Sequence, residues 1–169
     1  MAARDERPIE VVAAGGDDVE AVRELRLAAL TDAPDAFWST LDEEQDQPAA
    51  WWRDRVVGDT RWLLARRAGT ATGLCAVAPD HRGRAGVVSL VSFWVTPQGR
   101  GTGVGDALLD AALREGRDLG ARQVALDVGD HNAAAAAIYA RHGFTPSGAT
   151  GRFLPPREHI TEHELVRAP

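Results

Sequence analysis

The chain has 169 residues, 44% of them hydrophobic, and a formal net charge of −6, which suits one domain with a real core and argues against a nucleic-acid binder that works by phosphate neutralisation. No run approaches the roughly 18 apolar residues of a membrane span. All 19 of its lysine-plus-arginine positions are arginine, and that absence of lysine excludes both a Walker phosphate-binding lysine and a lysine Schiff base.

The chain opens with MAARDERPIE, charged where a signal peptide needs an apolar stretch, so a cytoplasmic protein is expected. Residues 8–14 alternate weakly and predict a first strand. Asp17 then reads as a helix cap with Glu20 completing a capping box, and Val19, Val22, Leu25 and Ala29 recur at helical spacing. Residues 31–47 are irregular and acidic. Pro48 suits a first helical position and Gly58 the stop after it. Residues 61–67 and 72–78 predict two strands joined by a turn at Ala68, Gly69 and Thr70, with a loop over 79–86.

Residues 87–95, VVSLVSFWV, form a strongly β-prone run. Helical spacing returns over 103–119, with Leu108, Leu109, Ala112 and Leu113 on one side and Gly120 just beyond. A strand over 123–128, a helix over 132–142 and strands over 144–147 and 161–166 complete the pattern. With no repeat or linker, residues 1–169 read as one α/β domain. The Ala, Arg and Gly bias suggests a GC-rich bacterial genome. The single cysteine, Cys75, excludes an internal disulfide and lies in an apolar strand as a core residue. The five histidines show no metal-ligand spacing with cysteine, so no metal is expected.

The first chemical feature is VTPQGRGTGVGDALL, where a strand hands over to a helix through glycines 99, 101, 103 and 105. Unpaired N–H groups and the positive end of a helix dipole make such a start receptive to anions, and glycine lets an anion approach the backbone. Arg100 adds a guanidinium suited to phosphate oxygens. A dinucleotide fingerprint fails, because its third glycine falls on Val104 or Asp106. Taken alone, these glycines equally serve a tight turn.

Val95-Thr96-Pro97 followed by Arg100-Gly101-Thr102-Gly103-Val104-Gly105 resembles motif A of the GNAT family of N-acetyltransferases. A second segment, LDVGDHNAAAAAIYARHGF, resembles the family's motif B, with Asn132 opening a helix, Tyr139 seven residues later and Gly143-Phe144 closing it. Together the two motifs cover residues 87–144 in the family's order and spacing. The resemblance implies the GNAT fold: an α/β (α+β) domain around a mixed, mostly antiparallel sheet of six or seven strands with about four helices. It implies acetyl-coenzyme A as co-substrate, with no metal, and transfer of the acetyl group by direct attack to a primary amine of a small molecule, protein or peptide. A homodimer is plausible for the family; a nucleic-acid or membrane partner is not implied.

Several residues carry two readings. Asn132 serves as a helix cap or touches the cofactor. Tyr139, the one tyrosine, packs an amphipathic ring in the core or, as the resemblance implies, protonates the departing thiolate. The resemblance further implies that Phe93, Trp94 and Val95 bind the pantetheine arm through their backbone, and that Gly101, Thr102, Gly103, Val104, Gly105 and Asp106 cradle the diphosphate behind Arg100. Of Phe93 and Trp94, alternation allows only one to line the substrate side. Many relatives place a glutamate in the fourth strand; here Ser89 or Ser92 stands instead. Asp127 is then the candidate base, against the reading of a solvated strand-end aspartate, with Glu43, Glu44 and His81 as further candidates. The acidic stretch 42–46 reads as a solvated surface or a rim that attracts a cationic amine. Because the strand-four glutamate is missing, a catalytically silent acyl-coenzyme A sensor is the alternative function.

Overall fold

The computed structural model describes residues 7–169; the charged opening stretch, residues 1–6, lies outside them. Seven strands form one open sheet: β1 (Ile9–Ala13), β2 (Arg61–Arg67), β3 (Thr70–Pro79), β4 (Val87–Val95), β5 (Gln123–Gly129), β6 (Thr145–Arg152) and β7 (Thr161–Arg167). Their order is β1-β2-β3-β4-β5-β7-β6. Among the described residues only β4 and β5 pair in parallel; every other neighbouring pair is antiparallel. The helices are α1 (Val19–Asp32), α2 (Leu41–Glu44), α3 (Ala49–Val57), α4 (Val104–Asp118) and α5 (Ala133–Arg141). The mixed, mostly antiparallel sheet is as expected, with one helix more than the sequence pattern indicates.

That extra helix is α2, a single turn within the acidic stretch. Thr40 and Glu43 close it as a reciprocal capping box, so Glu43 is a cap. The start of α1 also differs from expectation. A short 3₁₀ turn occupies Gly16–Asp18, and Asp18, rather than Asp17, accepts from the Gly15 N–H at 2.9 Å. The longest departure is β6, which runs to Arg152 rather than to residue 147. Most of it is exposed at the sheet edge, so it carries no apolar alternation to read.

Two cores enclose the sheet. On one face α4 and α5 bury Val104, Leu108, Leu109, Ala112 and Tyr139 against Leu63, Cys75, Leu90, Leu126 and Leu165. On the other, α1 and α3 bury Val22, Leu25, Leu30 and Val56 against Trp62, Leu64, Leu74 and Trp94. The Cys75 thiol is fully buried, and burial pushes its pKa up, as for an inert core residue.

Strand β4 decides where the functional cavity lies. Ala76 pairs with Val91 and Leu74 with Trp94, so Cys75 alone faces both Ser92 and Phe93. This bulge puts Ser92 at φ +56°, a left-handed conformation that costs about 1 kcal/mol or more for a residue with a side chain. The extra residue reverses the alternation. Phe93 thereby packs with the α5 side, and Trp94 is buried on the α1 side. Strands β4 and β5 pair only over Val87–Ser89 and Gln123–Ala125, then diverge.

Candidate active site

The divergence leaves a cavity of about 520 Å³ whose walls are Leu90–Phe93 from β4 and Leu126–Gly129 from β5. It passes through the sheet. Asn132, Ala135 and Tyr139 line it from α5, while Arg26, Phe37, Trp38, Ser39 and Arg55 line it from the α1–α3 side. Ser89, His81 and Glu162 complete the polar lining.

Asn132 caps α5, its Oδ1 accepting from the Ala135 N–H at 3.2 Å, and it also borders the cavity. Tyr139 is 7% exposed and packs against Phe93 and Phe144, with ring centroids 5.6 and 6.0 Å away. Burial pushes its phenol above the ordinary value, which keeps the hydroxyl protonated and able to donate. Of Phe93 and Trp94, it is Phe93 that reaches the cavity. Trp94 is core, and its indole N–H donates to Asp32 at 2.9 Å.

The glycine-rich turn lies at the start of α4. The first intrahelical bond runs from the Ala107 N–H to Gly103 O, which leaves the N–H groups of Val104, Gly105 and Asp106 without an intrahelical acceptor. Gly101 and Gly103 adopt φ +69° and +91°, and a Cβ on Gly101 would meet nothing within 4 Å. At Gly105 a Cβ would come within 2.8 Å of the Ile138 terminal methyl and 3.4 Å of Phe93, so a side chain there would have to displace the end of Ile138 where α4 meets α5. The Thr102 hydroxyl donates to Gly99 O at 2.7 Å, Val104 is buried, and Asp106 accepts from Arg141 at 2.8 Å. Arg100 is already engaged. It pairs with Asp32 and donates to Val95 O at 3.2 Å. The Trp94 and Arg100 hydrogen bonds together hold Asp32 below the usual carboxylate range.

Gly103→Ala should lower Tm by about 2–8 °C, because a Cβ is strained at that φ by roughly 1–2 kcal/mol. A thermal melt checks this, and an unchanged Tm would show that the helix start relaxes freely.

Asp127 borders the cavity, yet both of its oxygens are occupied. Arg82 reaches them at 2.9 and 3.3 Å, and His81 Nε2 lies 3.3 Å from Oδ2. His81 Nδ1 in turn lies 3.2 Å from Ser89 Oγ. The same guanidinium and that of Arg84 bind Glu164 at 2.8 and 2.6 Å, and Arg84 also grips Asp80 at 2.9 Å. These ion pairs lace the β3–β4 connection onto β5 and β7, and they hold Asp80 and Glu164 below their ordinary values despite burial. Glu44 is likewise committed. Burial favours its protonation, but Arg26, at 2.9 and 3.0 Å, and Arg55 hold it below the ordinary value.

Glu162, at the start of β7, is the residue that sequence reasoning misses. It is 4% exposed, and the hydrogen bond it accepts comes from the Trp38 indole at 2.7 Å. The other buried glutamates, Glu44 and Glu164, have arginine partners within 4 Å; among the described residues Glu162 forms no such pair. Burial pushes its pKa up to about 7, reinforced by Asp127 and opposed by the Trp38 hydrogen bond and by Arg82 and Arg157. A carboxyl of this kind exchanges a proton near neutrality. Among the described residues, no group of three or more His, Cys, Asp or Glu is placed to hold a metal ion, and no helix is long and apolar enough to cross a membrane.

A model of the acetyltransferase (GNAT) family matches residues 20–144. The chain is 36% identical over 97 residues to an IAA acetyltransferase of Azospirillum brasilense, covering 57% of this chain and 62% of that protein. It is 36% identical over 136 residues to a mycothiol acetyltransferase of Thermobispora bispora, covering 77% of this chain and 44% of that one. In both cases the match spans less than two thirds of the relative's own length. The fold is similar to that of yncA from Salmonella typhimurium, solved with its cofactor acetyl-CoA, with a TM-score of 0.75, 20% identity and coverage of 95% of this chain and 94% of that one.

Proposed function

Because the chain belongs to the acetyltransferase (GNAT) family, we propose that it transfers the acetyl group of acetyl-coenzyme A to a primary amine of a small molecule or peptide. The observation that carries this reading is the cavity between β4 and β5, bordered by a buried phenol on one side of the sheet and a near-neutral carboxyl on the other.

The residues fit the donor. The uncommitted N–H groups at the start of α4, reached past the bare backbone of Gly101 and Gly103, suit a diphosphate. Beyond Ser89 the edge of β4 that faces β5 is unpaired, so its backbone is available to a pantetheine arm along Phe93, Trp94 and Val95. Arg100 can serve a phosphate only by leaving Asp32, which makes it the adaptable member of the set. When bound there, acetyl-coenzyme A supplies an activated thioester carbonyl.

The side chains divide the proton transfers. Tyr139 Oη holds the proton that a departing thiolate requires. A carboxylate oxygen of Glu162 takes the proton of the acceptor ammonium, leaving a neutral amine as nucleophile. Trp38 fixes the orientation of that carboxylate, and Asp127, itself held by Arg82, orients His81 at the cavity wall. The test is thiol release from acetyl-coenzyme A across a panel of amines, with the acetylated amine measured in parallel. Equal amounts of thiol and acetylated amine are expected. Tight cofactor binding with no turnover on any amine would instead support the silent sensor.

A further inference from the structure

We propose that the acceptor amine also carries an anionic group, a carboxylate, which docks on Arg55 at the α1–α3 side of the cavity. The proposal rests on the acetyltransferase reading and narrows its acceptor class. Its first support is charge. Two guanidiniums, Arg26 and Arg55, line this end, and the single carboxylate between them, Glu44, is buried behind the lining. One negative charge against two positive ones leaves the subsite cationic, in a chain whose overall charge is −6.

The second support is hydrogen-bonding capacity. Arg26 is satisfied: its Nε and one terminal nitrogen bind Glu44, and the other donates to Ser92 Oγ at 3.3 Å. Arg55 is not. Its nearest approach to Glu44 is 3.6 Å, and its buried Nε has no hydrogen-bond partner. A buried N–H without an acceptor is disfavoured unless a ligand supplies one. The guanidinium is nonetheless held in place, packed on the rings of Trp51 and Trp62 at 4.9 and 5.5 Å from their centroids. A fixed, planar cation with free donors is suited to a carboxylate.

The neighbours fit the same ligand. Ser92 presents a hydroxyl: since its Oγ accepts from Arg26, its own O–H remains free to donate, whereas the Ser39 hydroxyl is engaged by Glu44. Phe37 and Trp38 form an apolar wall that suits the body of the molecule. With Glu162 receiving the ammonium and Arg55 the carboxylate, the acceptor is amino-acid-like rather than a simple polyamine. The acidic stretch 42–46 does not oppose this, because none of its residues lines the cavity and Glu44, behind the lining, is already bound to arginine.

The experiment compares matched amines in the wild-type protein: phenylalanine, phenylalanine amide, phenethylamine and the corresponding aminophosphonate. The carboxylate should exceed the amide and the plain amine in kcat/KM by about 100-fold, mainly through KM. The aminophosphonate arm reports whether the subsite takes anions generally. In Arg55→Met the acid-to-amide ratio should collapse towards one, and Arg55→Lys should restore part of it. Equal or better turnover of the amide by wild type, or an intact ratio in Arg55→Met, overturns the proposal. A binding arm separates it from the activity reading. The unreactive probe 3-phenylpropanoate should raise the Tm of wild type more than that of Arg55→Met, whether or not any amine is acetylated. Turnover of neutral amines without this binding refutes the anion subsite alone; binding without turnover refutes the acetyltransferase reading alone.

Discussion

Glu162→Gln will lower kcat/KM by about 10²- to 10⁴-fold, the usual worth of a positioned proton acceptor, while making the protein harder to melt at pH 8. Glutamine keeps an oxygen for the Trp38 indole, so the hydrogen bond and the volume survive. In wild type kcat/KM should rise with pH through about 7 as the carboxyl ionises, and this limb should vanish in the variant. The stability effect follows from the raised pKa. An unfolded Glu162 releases its proton near 4.5, the folded one near 7. Between those values the native state binds more protons, so stability falls as pH rises, by roughly 3 kcal/mol at most. Above pH 7 the native protein carries that full penalty and the glutamine variant does not; at pH 4 the two should melt alike. The charged groups bearing on the carboxyl are Asp127 from β5, Arg82 from the β3–β4 connection and Arg157 from the β6–β7 connection. Persistence of the neutral pH limb in Glu162→Gln would remove this residue from the mechanism.

Tyr139→Phe will lower kcat by about 10²- to 10⁴-fold while leaving the fold intact. The change deletes one oxygen and keeps the ring contacts with Phe93 and Phe144. Because burial holds the phenol above its ordinary value, the hydroxyl stays protonated over the working range, so the role proposed for it is that of a proton donor. The loss should therefore depend on the leaving group. A thioester whose thiol has a low pKa needs little proton assistance, and on such a donor the variant should recover most of its rate. An equal deficit on both donors would mean that Tyr139 only shapes the cavity.

The motifs around Gly101 and Tyr139 are legible in the sequence because their chemistry is local: a helix start needs its glycines and its cap within a few residues. The strand pattern is legible for the same reason, except at β6, whose exposed edge carries no alternation. Glu162 is hidden because its character comes from partners far along the chain. Trp38 is 124 positions away, and Arg82 and Arg84 neutralise Glu164 rather than Glu162. One sequence signal does exist. Glu162 and Glu164 point to the same face of a strand, and Glu164 pairs with Asp127 across β5; three acids on one sheet face demand cations, and one is left without. Nor can the sequence show that Ser92 forms a bulge, which is what assigns Phe93 rather than Trp94 to the cavity.

The short seam between β4 and β5 has a mechanical consequence. Below the Ser89–Ala125 pair the strands are joined; above it they are the arms of a wedge. From Ser89 to Phe93 the arm is about 13 Å long at ~3.3 Å per residue, so a rotation of about 5° at the apex displaces Phe93 by about 1 Å. Misplacement on that scale can cost about 100-fold in rate. The far end of the seam is held by Gly86, whose carbonyl accepts from the Arg122 and Gln123 N–H groups at 2.8 and 3.2 Å. A side chain at Gly86 would meet the Arg122 guanidinium at 2.8 Å. These two residues line no part of the cavity, yet they hold the joined end from which its two walls diverge.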